Sequence, residues 1–111
     1  MTRIAAVQMV SGTDVDANLT AAAALIHRAA ADGARQVALP ENFGLMPGRD
    51  ADRLAAAEDD GRGAMQDFLS TEARRHGIWL GGGTIPIRTG GERVRAACCV
   101  VNDRGERVAR Y

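Results

Sequence analysis

The sequence predicts an α/β protein with a mixed β-sheet, and three observations lead to this prediction. Short apolar segments of strand length alternate with longer segments whose apolar residues recur at helical spacing. The first 40 residues read as strand, helix and strand, which is a βαβ unit with parallel strands and a right-handed crossover. Beyond residue 77, extended segments separated by glycine-rich turns predict hairpins, and hairpins add antiparallel strands to the sheet.

The βαβ unit begins with the apolar residues 3–10, which we interpret as a buried strand. Either Asp14 or Asp16 caps the helix that follows, because a short carboxylate side chain accepts hydrogen bonds from the free amides of a first turn. The apolar stripe of this helix runs to about Ala31, and Gly33 stands where a left-handed residue ends a helix.

Two further buried strands and a second long helix are predicted between residues 36 and 80. Residues 36–39 form a second buried strand, which Pro40 ends. After a short helical turn near residues 52–58, residues 64–76 have the apolar face of an amphipathic helix. Residues 78–80 form the third buried strand.

The last third of the chain is predicted to be extended. Residues 84–87 form a strand whose proline suits the edge of a sheet, because proline cannot donate to a ladder. A turn at residues 89–92 precedes a single strand over residues 94–102. A second turn at residues 103–105 then leads into residues 106–111, the returning arm of a hairpin.

The composition excludes several classes of protein. Fourteen basic residues, all arginine, balance 14 acidic ones at a pI near 6.7, whereas a general nucleic-acid binder has a basic surface. No apolar run approaches the roughly 18 residues of a membrane span, and the N-terminus lacks the long apolar core of a secretory signal. We therefore predict a soluble, cytoplasmic chain with no nucleic-acid or membrane partner. The absence of lysine excludes a Schiff base or a P-loop lysine within these 111 residues.

Neither a metal site nor a cofactor site is predicted. His27 and His76 are far apart in sequence and lie on polar helix faces, where we expect both to be solvated, and no HxxH or CxxC pair is present. The triple glycine at residues 81–83 follows a strand, but it lacks the GxGxxG spacing and the lysine of a phosphate-binding loop. We interpret these glycines as residues that allow close backbone packing or a bulge.

The two cysteines, Cys98 and Cys99, are adjacent and cannot form an ordinary disulfide framework. Neighbouring residues of a strand point to opposite faces of the sheet, so the two thiols cannot act together on one substrate. Apolar, uncharged surroundings raise the pKa of a thiol and keep it unreactive. We therefore interpret both cysteines as structural.

Glu41 is the candidate catalytic residue. It follows Pro40 at the carboxyl end of a predicted parallel strand, where α/β proteins gather catalytic groups. Burial beside Leu39 and Phe43 would make its carboxylate a stronger proton acceptor, as a general base requires. A solvated glutamate that opens a loop is the alternative, and spacing alone does not decide between the two.

Four segments form a combination that is more specific than any one of them: residues 4–9 (IAAVQM) with Asn18, residues 33–41 (GAxxVxLPE), residues 77–84 (GIWLGGGT) and residues 105–111 (GERVARY). This combination covers the whole chain and resembles the N-terminal part of the nitrilase superfamily of carbon–nitrogen hydrolases. Within this superfamily, the sequence resembles the bacterial relatives of the omega-amidases and deaminated-glutathione amidases.

The resemblance implies a fold and a mechanism. The fold would be a four-layer α-β-β-α sandwich, of which residues 1–111 would form the N-terminal portion of a single, incomplete domain. The family uses a glutamate, a lysine and a cysteine to cleave an amide or nitrile through a thioester. Its glutamate falls on Glu41 as general base, its lysine stands just beyond the position of Tyr111, and its cysteine lies further on. Neither Cys98 nor Cys99 matches a catalytic position.

The resemblance therefore predicts the N-terminal part of an amidase for small linear amides, with Phe43 and Asn42 bordering the substrate. It implies no cofactor, and a homodimer at full length. Two alternatives stay open: a non-catalytic α/β interaction module that keeps the fold, and a nucleotide-binding α/β domain, which the missing glycine fingerprint disfavours. A lysine and then a cysteine beyond Tyr111 would distinguish the enzyme from the module.

Overall fold

The computed structural model of the protein describes residues 2–111, which form three helices and seven strands. The helices are α1 (Val15–Ala31), α2 (Asp50–Ala56) and α3 (Ala64–His76). The strands are β1 (Ile4–Ala6), β2 (Gln36–Ala38), β3 (Trp79–Gly81), β4 (Ile85–Gly90), β5 (Arg93–Ala97), β6 (Cys99–Val101) and β7 (Arg107–Arg110). Within residues 2–111, no helix is long and apolar enough to cross a membrane.

Five strands form a mixed sheet in the order β1-β2-β3-β6-β7, and β4 and β5 form a separate two-stranded sheet. β1, β2 and β3 are parallel neighbours, whereas β6 is antiparallel to β3 and β7 is antiparallel to β6. The predicted α/β class, the parallel βαβ unit and the mixed sheet are therefore confirmed. Because β6 runs opposite to β3 and β7 runs opposite to β6, β7 has the same direction as β3. The carboxyl ends of β1, β2, β3 and β7 therefore lie at the same end of the sheet.

Helices α1 and α3 cover one face of this sheet, and the core lies between the helices and the strands. Ile26 of α1 and Leu69 of α3 belong to the same buried cluster as Val37 of β2 and Leu80 of β3. All four side chains are removed from water, and each contributes about 1.5–3 kcal/mol of burial free energy. The amphipathic patterns of both long helices thus point to the core as predicted.

Local capping signals set the ends of these helices. The Asp14 side chain accepts a hydrogen bond from the N–H of Ala17 at 3.2 Å, so Asp14 rather than Asp16 caps α1. Gly33 follows α1 and Gly77 follows α3, with φ angles of 93° and 61°. A residue with a Cβ is disfavoured in this left-handed region, which is why glycine ends both helices.

The prediction of a single strand over residues 94–102 is wrong, because the chain changes sheets at Cys98. β5 ends at Ala97 and pairs with β4, whereas β6 begins at Cys99 and pairs with β3. Between them, the N–H and the carbonyl of Cys98 both pair with Tyr111, each at 2.8 Å. The hairpin of β4 and β5 therefore forms its own small sheet.

The second face of the five-stranded sheet is open, which contradicts the prediction that the first, second and third strands are buried. Ile4 of β1 is 69% exposed and Trp79 of β3 is 43% exposed, because no helix of residues 2–111 covers them. An apolar groove of about 550 Å³ runs along this face, from Ile4 to Val100 of β6. β1 is also shorter than the predicted residues 3–10 and lies at the edge of the sheet.

Candidate active site

Glu41 follows β2 at the end of the sheet where the parallel strands finish. The N–H of Leu39 donates to the carbonyl of Gly81, and the N–H of Val7 donates to the carbonyl of Ala38, both at 2.9 Å. The chain that leads into Glu41 is thereby held between the ends of β1 and β3. Groups at this end of a parallel sheet surround the crevice that α/β proteins use for binding and catalysis.

The glycines after β3 let the chain lie directly against the segment that leads into Glu41. Gly83 has a φ angle of 57°, and a side chain there would collide with the carbonyl oxygen of Pro40. A side chain at Gly82 would collide with Leu69 of α3. The prediction of close packing is therefore confirmed for Gly82 and Gly83, whereas a Cβ at Gly81 would make only ordinary contacts.

Two side chains near the start of α1 hold the loop that follows Glu41. The hydroxyl of Ser11 donates to the carbonyl of Phe43 at 2.7 Å. The buried side chain of Asn18 donates from Nδ2 to the carbonyl of Gly44 at 2.9 Å. Sequence reasoning named Asn18 only as part of the family pattern and missed Ser11, since neither bond is local in sequence.

A third hydrogen bond reaches the residue directly after Glu41 from the opposite side. The N–H of Asn42 donates to Oγ1 of Thr84 at 2.8 Å, and both residues are partly buried. Asn42 has a φ angle of 56°, and it is the only residue other than glycine among residues 2–111 with a positive φ. Sequence reasoning named Thr84, which is 42 positions away, only as part of the family pattern and missed this contact.

The Glu41 side chain is exposed, so the expectation of burial beside Leu39 and Phe43 is wrong. Both apolar neighbours are buried in the core cluster beneath the loop. The ring of Phe43 lies against that of Phe68, with 6.2 Å between the ring centroids. The loop thus sends its apolar side chains into the core and leaves the side chain of Glu41 exposed.

Glu58, a buried carboxylate before α3, was not identified from the sequence. Its Oε2 accepts from the N–H of Met65 at 2.6 Å, and its Oε1 accepts from the N–H of Gln66 at 3.1 Å. The side-chain Nε2 of Gln66 donates to the same Oε1 at 3.1 Å. Because Gly63 at the N-cap has no side chain, Glu58 satisfies the first turn of α3 in its place. The sequence offered one signal for this role: a glycine directly before the predicted helix cannot cap it, so another side chain must.

An acidic loop between α2 and α3 joins the two sheets. Asp60 lies 2.5 Å from the guanidinium of Arg107 and 3.0 Å from that of Arg110, both on β7. Asp59 lies 3.2 Å from Arg88 of β4. The hydrogen bond from Arg107 holds the pKa of Asp60 below its ordinary value.

Cys99 is buried in the core, and Cys98 is half-buried. Burial raises the pKa of the Cys99 thiol, while the guanidinium of Arg107 opposes this shift. The prediction of a buried thiol with a raised pKa is thus confirmed for Cys99, although the presence of Arg107 contradicts the expected uncharged surroundings.

The two histidines lie close together, contrary to their separation in sequence. Their ring centroids are 5.5 Å apart, because α1 and α3 are neighbours. His27 is exposed as expected. The prediction that His76 is solvated is wrong, since its Nε2 lies 3.3 Å from Oε2 of the buried Glu72 and its side chain is mostly buried. Within residues 2–111, no three His, Cys, Asp or Glu side chains are placed to hold a metal ion together.

Tyr111 lies at the same end of the sheet as Glu41. Its backbone pairs with Cys98 beyond the end of β7, and β7 runs in the same direction as β2. The two strands are three positions apart in the sheet, or about 14 Å at a spacing of about 4.8 Å between neighbours.

Residues 3–111 match the family model described as Carbon-nitrogen hydrolase. The deaminated glutathione amidase of Synechocystis sp. is 34% identical over 109 residues, which cover 96% of this chain and 39% of that relative. The chloroplastic omega-amidase of Arabidopsis thaliana is 33% identical over 102 residues, which cover 89% of this chain and 27% of that relative. The chain therefore spans less than half the length of either relative.

Solved structures match the fold along the whole chain. The NitFhit protein of C. elegans superposes with a TM-score of 0.87 at 26% identity, covering 100% of this chain and 28% of that chain. A glutamate-to-glutamine mutant of the amidase from Nesterenkonia sp. AN1 has a TM-score of 0.84 at 26% identity, covering 100% of this chain and 43% of that chain. In the latter structure, acrylamide has added to the active-site cysteine of that amidase.

Proposed function

The chain belongs to the carbon–nitrogen hydrolase family, and we propose that it is the N-terminal portion of a single amidase domain that cleaves small linear amides. One observation carries the proposal: Glu41 presents an exposed carboxylate at the carboxyl end of β2, on a loop held from both sides. Similarity to a deaminated glutathione amidase and an omega-amidase supports amides as the substrate class. Because the chain spans 39% of the first relative, this activity is proposed for the complete protein.

In the proposed mechanism, Glu41 acts as the general base for a cysteine outside these 111 residues. The carboxylate takes the thiol proton while sulfur attacks the amide carbon, which gives a tetrahedral oxyanion. The carbon–nitrogen bond then breaks, the nitrogen takes the proton from Glu41, and ammonia leaves behind a thioester. Water adds to the thioester with Glu41 as base again, the carbon–sulfur bond breaks to release the carboxylic acid, and Glu41 returns the proton to the sulfur. The active-site cysteine of the Nesterenkonia amidase supports this proposal.

We place the oxyanion-stabilising lysine shortly after Tyr111, as the family resemblance implies. The topology supports this placement, because β7 and β2 run in the same direction and finish at the same end of the sheet. A residue that follows Tyr111 starts about 14 Å across the sheet from the strand before Glu41. An ammonium group there stabilises the developing negative charge on the substrate oxygen.

The remaining assignments of the proposal concern the surroundings of Glu41. Asn42 borders the substrate directly, since it is the partly exposed neighbour of Glu41, whereas the buried Phe43 shapes the site from below. The complete protein is proposed to be a cytoplasmic homodimer, in keeping with the family resemblance, and to need no cofactor.

Ammonia release by the protein expressed from its complete coding sequence tests the proposed function. Dicarboxylate mono-amides and the corresponding nitriles form the substrate panel, and we expect turnover of the amides to exceed turnover of the nitriles. A stop codon directly after Tyr111, or a complete protein that releases no ammonia from the panel, would favour the non-catalytic module instead. The non-catalytic module stays an alternative because residues 1–111 contain no lysine, which the proposed mechanism requires.

A further inference from the structure

The hydrogen bond between Asn42 and Thr84 acts on the peptide group that joins Glu41 to Asn42. The N–H of Asn42 belongs to this peptide group, and it donates to Oγ1 of Thr84 at 2.8 Å. The direction of that N–H is set jointly by ψ of Glu41 and φ of Asn42. Because both partners are partly buried, the bond is partly shielded from competing water.

The backbone at Asn42 needs such a restraint. Its φ angle of 56° lies in the left-handed region, which a residue with a Cβ occupies only when the surroundings favour it. Asparagine tolerates this region better than other side chains, but alternatives with negative φ stay accessible to it. Rotation to such an alternative would turn the N–H away from Thr84 and would change the orientation of Glu41 relative to Asn42 and Phe43.

The chain on either side of this peptide group is held by other contacts. Gly83 packs against Pro40 before Glu41, and Ser11 holds the carbonyl of Phe43 after it. Glu41 itself is exposed, so packing does not fix its side chain, and the orientation of its backbone sets the direction in which that side chain leaves the chain. Thr84 is therefore placed to control the direction of the group that the proposed mechanism uses as a base.

We propose that Thr84 is a positioning residue, whose hydroxyl oxygen holds the Glu41–Asn42 peptide group so that the Glu41 carboxylate faces the reacting cysteine. This inference rests on the proposed function, since it concerns the same carboxylate. A hydroxyl is needed because it supplies an acceptor for the N–H. Serine keeps this oxygen, whereas valine replaces it with a methyl group of nearly the same size.

Steady-state ammonia release by the complete protein tests this role in Thr84→Val and Thr84→Ser. We expect Thr84→Val to lower kcat by about 10- to 100-fold, as misplacement of a reacting group does, with KM changed by less than about 2-fold. Thr84→Ser should restore kcat to within about 3-fold of the wild type. Thr89→Val, at an exposed threonine on β4, the strand that begins directly after Thr84, is the matched control and should behave like the wild type. A Thr84→Val protein with wild-type kcat would overturn the inference.

The same substitution in a Glu41→Gln background separates positioning from general damage. If Thr84 acts through Glu41, Thr84→Val should lower the residual rate of Glu41→Gln by less than about 2-fold. An equal loss in both backgrounds would show that Thr84 has only a structural role, while Glu41 would keep its assignment. Undiminished activity of Glu41→Gln alone would instead contradict the proposed function. If Thr84→Val does not fold, Thr84→Ala removes the same oxygen without the extra methyl groups, and the same expectations apply.

Discussion

Gly83 packs its backbone directly against the carbonyl oxygen of Pro40, and no side chain fits between them. This contact brings the end of β3 against the end of β2 one residue before Glu41. Pro40 in turn has a fixed φ, so the entry to the Glu41 loop is stiff on both sides of the contact. The geometry of the loop entry therefore depends on the backbone and on glycine, and not on the side chain of Glu41.

Replacing Glu41 with glutamine is consequently expected to remove activity and to leave the fold intact. Glutamine keeps the size of the side chain but cannot take a proton, so turnover should fall by about 10²-fold or more. Ammonia release and circular dichroism of the complete protein measure the two effects. Glu92→Gln, at an exposed glutamate in the β4–β5 turn, should retain wild-type turnover. A Glu41→Gln protein with near-normal kcat would refute the assignment of the base.

The Glu58 carboxylate should matter for stability rather than for catalysis. Glu58→Ala leaves the N–H groups of Met65 and Gln66 buried without their acceptor, which costs about 1–3 kcal/mol. Chemical denaturation of the complete protein should show this loss in the free energy of unfolding, and Glu92→Ala should show less than about 0.5 kcal/mol. An unchanged free energy of unfolding in Glu58→Ala would mean that water caps the helix equally well.

The helices illustrate what the sequence predicts well. Asp14, Gly33 and Gly77 act within one turn of their own helix, so both ends of α1 and the C-terminal end of α3 follow from local residue types. The position of Glu41 at the end of β2 was predictable for the same reason, since an apolar strand and a proline precede it.

The contacts that complete the site were not predictable, because they join distant segments. Thr84 reaches Asn42 only once β3 lies beside β2, and the exposure of Glu41 depends on which way the loop turns. The break at Cys98 likewise follows from its pairing with Tyr111, which competes with continuation of β5. Periodicity reports which residues are apolar along one segment, but it carries no information about such pairings.

The two cysteines should be dispensable for turnover and should differ in reactivity. Cys98→Ala and Cys99→Ala should each retain most activity, and loss of the buried Cys99 side chain should cost about 1–2 kcal/mol of stability. Since burial raises the pKa of Cys99, it forms little thiolate near neutral pH, and iodoacetamide should modify it more slowly than Cys98 in the native protein. Complete loss of activity in either folded variant would mean that one of them is the nucleophile.

The ion pairs of Asp60 should make a pH-dependent contribution to stability. Hydrogen bonding to Arg107 lowers the pKa of Asp60 below its ordinary value of 3.8 in the folded state. A carboxylate with a lowered folded pKa stabilises the fold above its unfolded pKa, and this stabilisation is lost as the pH falls through the folded pKa. The melting temperatures of the wild type and Asp60→Asn should therefore differ at neutral pH and converge below about pH 4.

Added salt should also reduce the difference between the wild type and Asp60→Asn, because the pair is partly exposed to solvent. Asp103→Asn, at an exposed aspartate in the turn before β7, is the control and should show no comparable dependence on pH. A difference that persists unchanged into strong acid would exclude the charge of Asp60 as its cause.

Residues 1–111 expressed alone should be inactive and poorly folded. They contain no lysine, and the thiol of Cys99 is buried with a raised pKa, so the proposed chemistry lacks both partners of Glu41. The packing argument is independent: helices cover one face of the five-stranded sheet, while Ile4 and Trp79 on the other face are open to water. A chain of this length has little core to offset such exposure, and β7 adds an unpaired edge. Calorimetry should show a broad, uncooperative transition or aggregation, and a sharply melting, soluble monomer would favour the interaction module over the enzyme.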